Sequence, residues 1–496
     1  MSGSLLTATG PTTGVSLSSP LSQVVITRSG NLIRVTPGLA DLLGPLLTYR
    51  RRHQSGPSPD DVFYETVQLF HVDEKDGSLI APAGLTSRVC DFLRGIRRTI
   101  KFEDLRESTL PEPAYERLKP LRGKQPEAMA AIITSDFGVI EAPTAFGKSF
   151  VIQMLCLLYP GINIIVCTPY TGLLRDLYAK LSEILTPNEL GLVGDGKKEL
   201  GCRVTLTTDR SLIKCDLAKC RIFIYDEVHR AASPAASKVI SRVRGARMYG
   251  FSASPYGRSD NADLETEALF GPRICRVTYQ EALEDGNVAP IRVQVYSCEG
   301  MHPYDHSNAN VLDRHGVWRH AGRNRLAAQA VADARQKLGS NVQILIMVKV
   351  VEHAVHLRRY LPDFELVYGN MKLEKKRTWI KQGLLPNDYV TLDSEKREAL
   401  RQRFAAGDLK CVIATGTWST GVDFPNLEVL IRCDGMTGNI PSTQIPGRAT
   451  RKAEGKTFGY VVDFDDSYSV TLNRRALRRL AIYKKKGWEI EWILPK

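Results

Sequence analysis

One short segment, residues 140–150, restricts the possible folds of this chain more than any other. It contains an apolar run, the turn Gly147-Lys148-Ser149 and then an apolar run with helical spacing. A strand, a Gly-Lys-Ser turn and a helix in this order form a phosphate-binding loop, because the N–H groups of the turn and the positive end of the helix face the same point. The segment therefore predicts a strand–turn–helix unit that holds a polyphosphate.

Two side chains of this loop are candidates for direct contact with a triphosphate and its metal ion. We expect Lys148 to reach the terminal phosphate oxygens and the Ser149 hydroxyl to bind Mg²⁺. Ala142 stands where the general motif has glycine. The other residues expected to line the loop are Pro143, Thr144, Ala145, Phe146 and Gly147. The loop thus predicts a magnesium–triphosphate site.

A second apolar run, 222–225, ends in the carboxylates Asp226 and Glu227. Acids at the carboxyl end of a strand suit a triphosphate bound in the same domain. Asp226 is expected to hold the metal ion, mostly through water, and Glu227 to orient and activate the attacking water. Together with the phosphate loop, the pair predicts hydrolysis of the triphosphate.

Composition limits the size of the fold and the class of partner. A chain of 496 residues is too long for one hydrophobic core and favours about three compact units. Its net charge of +13 favours an anionic polymer as partner, with nucleic acid ahead of a membrane surface. No apolar run is long enough to cross a bilayer, and ten cysteines without a C-x-x-C pair indicate reduced thiols in the cytoplasm.

The sequence pattern divides the chain into five segments. Residues 1–22 are rich in Ser, Thr, Gly and Pro and are expected to form a disordered tail. Residues 23–110 predict a small α/β accessory domain that binds DNA through basic groups such as Arg50, Arg51 and Arg52. Its predicted elements are strands within Gln23–Pro37, a helix over Leu39–Arg52, a strand over Val62–Val72 and a helix over Ser87–Ile96. The remaining segments are lobe 1 at 111–290, lobe 2 at 291–466 and a basic C-terminal extension at 467–496.

Short apolar strands alternate with helices in both lobes, which is typical of a parallel sheet with crossover helices. The strands predicted in lobe 1 are Gly138–Glu141, Asn163–Thr168, Arg203–Thr207, Ile222–Asp226 and Ala246–Ser252. The strands predicted in lobe 2 are Gln343–Val348, Glu365–Val367, Cys411–Ala414, Val429–Arg432 and Gly459–Asp463. The expected fold class is therefore α/β, with two parallel-sheet lobes in tandem behind a small α/β N-terminal domain. Residues 370–391 are expected to be a surface loop or a DNA-contacting insertion.

Further motifs stand in a fixed order around the phosphate loop and the carboxylate pair. In lobe 1 they are Leu121-Arg122-Gly123-Lys124-Gln125, Cys167-Thr168-Pro169-Tyr170, Leu206-Thr207-Thr208, Asp226-Glu227-Val228-His229 and Ser252-Ala253-Ser254-Pro255. In lobe 2 they are the run from Ala414-Thr415 to Gly421-Val422-Asp423 and the run Gln444-Ile445-Pro446-Gly447-Arg448-Ala449-Thr450-Arg451. Over residues 121–451 this order resembles the superfamily 2 helicases.

The resemblance implies two RecA-like lobes that bind ATP and Mg²⁺ in the cleft between them. It assigns adenine recognition to Gln125 with Arg122, and coupling of hydrolysis to strand movement to His229, Ser252 and Ser254. It assigns strand contacts to Thr168, Pro169, Thr207, Thr208 and Thr415. In lobe 2 it implies nucleotide contacts from Gly421 and Asp423 and a catalytic set of Gln444, Arg448 and Arg451. Arginines that reach the γ-phosphate across a cleft stabilise the charge of the transition state.

Within the superfamily, the segments 419–423 and 269–290 resemble one branch best. That branch contains phage UvsW-type helicases, XPB and the motor subunits of restriction enzymes. The resemblance implies an ATP-dependent DNA helicase or translocase that acts on forked and junction DNA in replication, recombination or repair. It implies proteins of those processes as further partners, and the host cytoplasm as location if the source is a phage. An RNA helicase, and a DNA-translocating motor of a restriction-type complex, remain alternatives.

Overall fold

The computed structural model describes residues 23–55, 61–106, 110–418, 424–437, 442, 445–450 and 456–495. Within these ranges the strands form a five-stranded, an eight-stranded, a seven-stranded and a two-stranded sheet. The expected disordered tail, 1–22, lies outside the described residues. In the ranges that are described, no helix is long and apolar enough to cross a membrane. The two large sheets behind a small α/β unit confirm the predicted fold class.

The N-terminal unit consists of a small sheet, a separate hairpin and one main helix. Its elements are β1 (Val24–Ser29), β2 (Leu32–Thr36), α1 (Ala40–Leu43), β3 (Thr48–Gln54), β4 (Val62–Gln68), β5 (His71–Val72), β6 (Leu79–Pro82), α2 (Thr86–Gly95) and β7 (Ile100–Asp104). The sheet has the order β5-β6-β2-β1-β7, while β3 and β4 pair only with each other. Buried side chains of this unit and of lobe 1 form one hydrophobic cluster, so the unit packs firmly on lobe 1.

The helix predicted over Leu39–Arg52 is wrong. The chain forms the one-turn helix α1, a 3₁₀ turn at Pro45–Leu47 and then strand β3. Pro45 has no N–H to continue an α-helix. The residues that follow pair antiparallel with β4, from Thr48 opposite Gln68 to Gln54 opposite Val62. This long-range pairing outweighs the local helical pattern.

Lobe 1 is organised around the eight-stranded sheet. Its elements are α3 (Gln125–Thr134), β8 (Phe137–Glu141), α4 (Lys148–Leu158), β9 (Ile164–Thr168), α5 (Thr171–Ser182), β10 (Leu190–Gly194), β11 (Lys197–Lys198), β12 (Val204–Thr208), β13 (Ile222–Asp226), α6 (Pro234–Ile240), β14 (Arg247–Ser252), α7 (Asp263–Phe270), β15 (Arg273–Arg276) and α8 (Tyr279–Glu284). The order is β11-β10-β12-β9-β13-β14-β8-β15, and only β11 runs antiparallel to its neighbour. All five predicted strands are confirmed within one residue at each end.

Lobe 2 is organised around the seven-stranded, parallel sheet. Its elements are β16 (Ile291–Tyr296), α9 (Ala309–Leu312), α10 (Ala321–Leu338), β17 (Ile344–Met347), α11 (Val351–Arg358), β18 (Glu365–Val367), α12 (Leu373–Lys381), α13 (Ser394–Ala406), β19 (Cys411–Ala414), β20 (Val429–Arg432), β21 (Gly459–Phe464), α14 (Val470–Lys485) and β22 (Glu489–Ile493). The order is β18-β19-β17-β20-β21-β16-β22. The five predicted strands are again confirmed within one residue.

Two segments flagged in the sequence take a definite place in lobe 2. The predicted extension 467–496 contains α14 and β22, and β22 pairs in parallel with β16, so this segment completes one edge of the sheet. The segment 370–391 is not simply the surface loop that was one of its two predicted forms, because it contains α12, which buries Trp379 against the lobe 2 core. Its basic residues Lys375, Arg377 and Lys381 are exposed.

The two lobes contact each other beside the phosphate loop. The rings of Tyr279, in α8, and Trp488, just before β22, pack edge to face with centroids 6.0 Å apart. Arg401 in α13 lies 3.5 Å from the carboxylate of Asp176 in α5. These contacts bring the carboxyl ends of the lobe 1 strands next to lobe 2.

Candidate active site

The phosphate loop connects β8 to α4, and its backbone depends on two left-handed residues. Ala145 has a φ of 78° and Gly147 a φ of 92°. A side chain at Gly147 would also collide with Gln125, because an added Cβ would lie 2.6 Å from the Gln125 Nε2 atom. The left-handed backbone therefore favours glycine there, and any other residue would also displace the Gln125 side chain.

Gln125 supports the loop from outside. Its Nε2 donates a hydrogen bond to the Phe146 carbonyl at 2.9 Å, and its Oε1 accepts one from the Arg122 N–H at 3.0 Å. Arg122 and Gln125 thus lie against the loop, where their expected adenine recognition stays a prediction. This structural contact is one that the sequence did not indicate.

Lys148 lies at the first position of α4 and folds back over the loop. Its Nζ donates to the carbonyls of Ala142 at 3.0 Å and Pro143 at 3.2 Å. Ser149 is the next residue of the helix and is half-buried. Both side chains therefore start from the end of α4 whose N–H groups suit an anion.

The predicted acids lie at the carboxyl end of β13, which is between β9 and β14 in the sheet. Asp226 is the last residue of the strand, and Glu227 adopts a left-handed φ of 62°. Burial and the neighbouring Glu227 raise the pKa of Asp226, and the charge of Lys148 only partly offsets them. A divalent cation would relieve both effects, since carboxylate and hydroxyl oxygens are ligands that Mg²⁺ prefers. Asp226 and Ser149 therefore fit the expected metal ion chemically.

Glu227 belongs to a network with the three residues predicted to couple hydrolysis to strand movement. The His229 Nδ1 atom lies 3.1 Å from Ser252 Oγ and 3.4 Å from Glu227 Oε2. Ser252 Oγ donates to Glu227 Oε2 at 3.3 Å and accepts from the Ser254 N–H at 3.2 Å. Burial alone would raise the pKa of Glu227, but its contacts with His229, Ser252 and Lys148 bring it below the ordinary value. Glu227 is thus held as an oriented anion.

Lobe 2 reaches the phosphate loop through the segment 445–450. A Cβ added at Gly447 would lie 2.9 Å from Thr144 Oγ1, so the Gly447 backbone packs closely against the Thr144 side chain. The next residue, Arg448, is buried. A cavity of about 370 Å³ opens beside this contact and is lined by both lobes, including Pro143 and Trp488. The predicted residues Gly421, Asp423, Gln444 and Arg451 lie outside the described residues.

The residues expected to touch a nucleic-acid strand lie at the carboxyl ends of the strands in each sheet. Thr168 ends β9 and Thr208 ends β12, and the two are paired in register. The hydroxyls of Thr168 and Thr207 donate to the carbonyls of Tyr170 at 3.1 Å and Val193 at 2.9 Å. These hydroxyls are therefore occupied within the fold. Pro169 follows β9, and Thr415 follows β19 in lobe 2.

Arg258 is a residue near the site that sequence reasoning missed. Its guanidinium donates to the main-chain carbonyl of His229 and to the carboxylate of Asp260. It thereby ties the segment after the Ser252–Ser254 motif to the segment that contains Glu227. No motif spacing could have indicated this, because the link is made between a side chain and a distant main-chain carbonyl.

Comparison with known proteins relates this geometry to characterised families. Residues 122–261 match the DEAD/DEAH box helicase family, and residues 331–453 match the helicase conserved C-terminal domain. The two ranges together cover more than half of the chain.

Two curated proteins are similar in sequence. The DNA 3'-5' translocase XPB2 of Sulfurisphaera tokodaii is 23% identical over 379 residues, which cover 72% of this chain and 85% of that protein. The ATP-dependent DNA helicase uvsW of Enterobacteria phage T4 is 22% identical over 351 residues, which cover 67% of this chain and 66% of that protein.

Two solved structures share the fold. A putative HsdR subunit of a type I restriction enzyme from Vibrio vulnificus has a TM-score of 0.56 at 15% identity, covering 90% of this chain and 92% of that one. RNA-bound Dbp5 from S. cerevisiae has a TM-score of 0.53 at 14% identity, covering 76% of this chain and 91% of that one.

Proposed function

Because the chain belongs to the superfamily 2 helicases and is an ATP-dependent helicase, we propose that it is a DNA translocase that remodels forked and branched DNA. The observation that most supports a translocating motor is the close approach of Gly447, from lobe 2, to Thr144 of the phosphate loop. A nucleotide bound beside this contact would touch both lobes. The choice of DNA rests on the similarity to the DNA translocase XPB2 and the DNA helicase uvsW and on the net charge of +13.

In the proposed reaction, the residues of lobe 1 bind the triphosphate and prepare the attacking water. Lys148 exchanges its two loop carbonyls for phosphate oxygens. Mg²⁺, held by Ser149 and Asp226, would supply charge neutralisation at the phosphates. Glu227 orients the water and accepts its proton, while His229 and Ser252 keep the carboxylate in place.

The residues of lobe 2 complete the site when the cleft closes. We assign the stabilisation of charge on the γ-phosphate to Arg448, together with Gln444 before it and Arg451 after it in the motif. Gly421 and Asp423 are assigned to nucleotide contacts on the same resemblance. Charges supplied from a second lobe make hydrolysis depend on closure, which is the physical requirement for a motor.

Movement along DNA follows from the same closure. The DNA strand would lie across the carboxyl ends of the β-strands, where Thr168, Thr208 and Thr415 are found. Each cycle would change the distance between these parts of the two lobes. Because Thr168 and Thr207 use their hydroxyls internally, we assign the grip chiefly to main-chain N–H groups and neighbouring side chains. Such contacts to phosphates are independent of sequence and sensitive to salt. We propose that the DNA substrates arise in replication, recombination or repair.

The test is ATPase stimulation by four nucleic acids of matched sequence. Single-stranded DNA, duplex DNA, forked DNA and single-stranded RNA are each titrated at two salt concentrations. We expect forked and single-stranded DNA to stimulate hydrolysis most. Equal or stronger stimulation by RNA would overturn the choice of DNA and favour an RNA helicase. Stimulation by duplex DNA alone would favour the restriction-type motor.

A further inference from the structure

The hairpin formed by β3 and β4 is mounted on lobe 1 by one of its faces. Arg51 is buried there and pairs with the carboxylate of Glu265 in α7, and the Tyr49 hydroxyl donates to the same carboxylate. The backbone adds a second attachment, because the Arg52 N–H donates to the Asp260 carbonyl at 3.0 Å. The hairpin therefore moves with lobe 1 as one body. The prediction that Arg51 contacts DNA is wrong, because this side chain is part of the anchor.

The opposite face of the hairpin is cationic and aromatic. Arg52 is paired with Tyr64 across the strands, and Arg50 is paired with Thr66. Since side chains alternate along a strand, these four lie on the face away from Arg51. The Arg50 guanidinium lies 4.9 Å from the centroid of the Tyr64 ring, and 47% of Tyr64 is exposed. This face thus combines an open aromatic ring with two positive charges.

A second exposed ring lies on the same face of the hairpin as Tyr49 and Arg51, but nearer the end of the hairpin. Phe63 precedes Tyr64 and so points to the other face, where 54% of it is exposed. It stacks on His53 with ring centroids 4.7 Å apart and an angle of 7° between the rings, and His53 is held by Glu65 at 2.8 Å. The end of the hairpin therefore has one exposed aromatic ring on each face of its two-stranded sheet.

The hairpin is also linked to the ATP site. Asp260, whose carbonyl accepts from Arg52, binds the Arg258 guanidinium, and Arg258 binds the carbonyl of His229. His229 contacts Glu227. The position of the hairpin is thus coupled through three consecutive contacts to the segment expected to sense hydrolysis.

We propose that this hairpin separates strands at a DNA junction, with unpaired bases stacking on Tyr64 and Phe63 and phosphates held by Arg50 and Arg52. The inference rests on the proposed function, because it takes DNA as the substrate. Aromatic faces accept any base, and guanidinium groups hold any phosphate, so the contact is independent of sequence, as a moving motor requires. A ring on each face gives each separated strand its own stacking surface. Large exposed aromatic side chains at a single place are typical of a binding surface.

The test uses the full chain and a forked DNA with 2-aminopurine at the first unpaired position of each arm. The double variant Phe63→Ala/Tyr64→Ala removes both rings. The matched control is Phe102→Ala, which removes a ring of similar exposure, 46%, from β7 of the same N-terminal unit. The conservative variant Phe63→Tyr/Tyr64→Phe keeps both rings. Thermal melting of each protein checks that the fold is retained.

We expect the double variant to bind the fork on the order of tenfold more weakly and to lose the change in 2-aminopurine fluorescence. Its ATPase activity in the absence of nucleic acid should stay within about twofold of wild type, because the hairpin lies outside the nucleotide site. Phe102→Ala and the conservative variant should behave like wild type. If the double variant shows the same change in 2-aminopurine fluorescence and the same fork unwinding as wild type, the proposed role of the hairpin is wrong. The proposed function would not be affected by that result. If no DNA stimulates the wild-type ATPase, the proposed function and this inference both fail.

Discussion

Arg479 in α14 allows a direct test of whether a buried ion pair stabilises lobe 2. It belongs to a basic helix with exposed neighbours, but the Arg479 side chain is only 1% exposed. Its Nε and Nη2 atoms donate to the two carboxylate oxygens of Asp463 at 2.9 and 2.8 Å, and Nη2 also donates to the Phe464 carbonyl at 3.2 Å. The substitution Arg479→Ala would remove all three hydrogen bonds and leave Asp463 buried.

The size of the effect follows from what Asp463 retains. Removing one partner of a buried ion pair costs about 3–5 kcal/mol of unfolding free energy. Asp463 would still accept hydrogen bonds from the Tyr483 hydroxyl at 2.8 Å and from the Phe464 N–H at 2.8 Å. We therefore expect a loss near the lower limit, about 3 kcal/mol, which corresponds to a melting temperature about 6–12 °C lower for a lobe of this size.

The matched control is Arg478→Ala, which removes the same charge from an exposed position of α14. Differential scanning fluorimetry on both variants and the wild-type chain is the assay. Arg478→Ala should unfold within about 2 °C of wild type, since exposed substitutions change stability by about 0.5 kcal/mol or less. Equal melting temperatures for the two variants would refute the assignment of Arg479 to the core.

The same pair predicts a dependence on pH. Burial alone would raise the pKa of Asp463, but the charges of Arg479 and Arg432 bring it below its ordinary value of 3.8. A carboxyl whose pKa is lower in the folded state stabilises the fold above its unfolded value, and this contribution is lost as the pH falls through the lowered value. The wild-type chain should therefore lose stability below about pH 4, and Arg479→Ala should weaken that loss.

Three further predictions concern the nucleotide site. Lys148→Ala should abolish ATP hydrolysis and leave DNA affinity close to wild type, as measured by phosphate release and by fluorescence anisotropy; near-normal hydrolysis would contradict the site. Glu227→Gln should bind ATP but stall turnover, and the stalled complex should retain labelled ATP on a filter, whereas rapid release of product would contradict its role as base. Arg451→Ala should lower turnover on the order of 10³-fold with a smaller loss of nucleotide affinity; equal losses in both would indicate a role in binding only.

Local sequence was sufficient to predict the strands of both lobes and the position of the phosphate loop. Buried parallel strands are continuous apolar runs; the phosphate loop follows β8, and Asp226 and Glu227 stand at the end of β13. The carboxyl ends of parallel strands lie on the same side of a sheet, so the sequence predicts that the loop and the acids share that side. The order β13-β14-β8, which sets how close they are, was decided by the fold. The same reasoning applies to the network of His229, Ser252 and Glu227, because these residues also lie at or after the carboxyl ends of strands in this sheet.

Tertiary structure alone decided which charged residues are buried and which are free to contact a partner. Arg50, Arg51 and Arg52 are equivalent in sequence, but strand alternation turns Arg51 toward Glu265, which is 214 positions away, and leaves the other two on the opposite face. Arg478 and Arg479 differ in the same way because only Arg479 meets Asp463. A charge is buried only where an opposite charge compensates for lost hydration, and that partner is supplied by the fold rather than by neighbours in the chain.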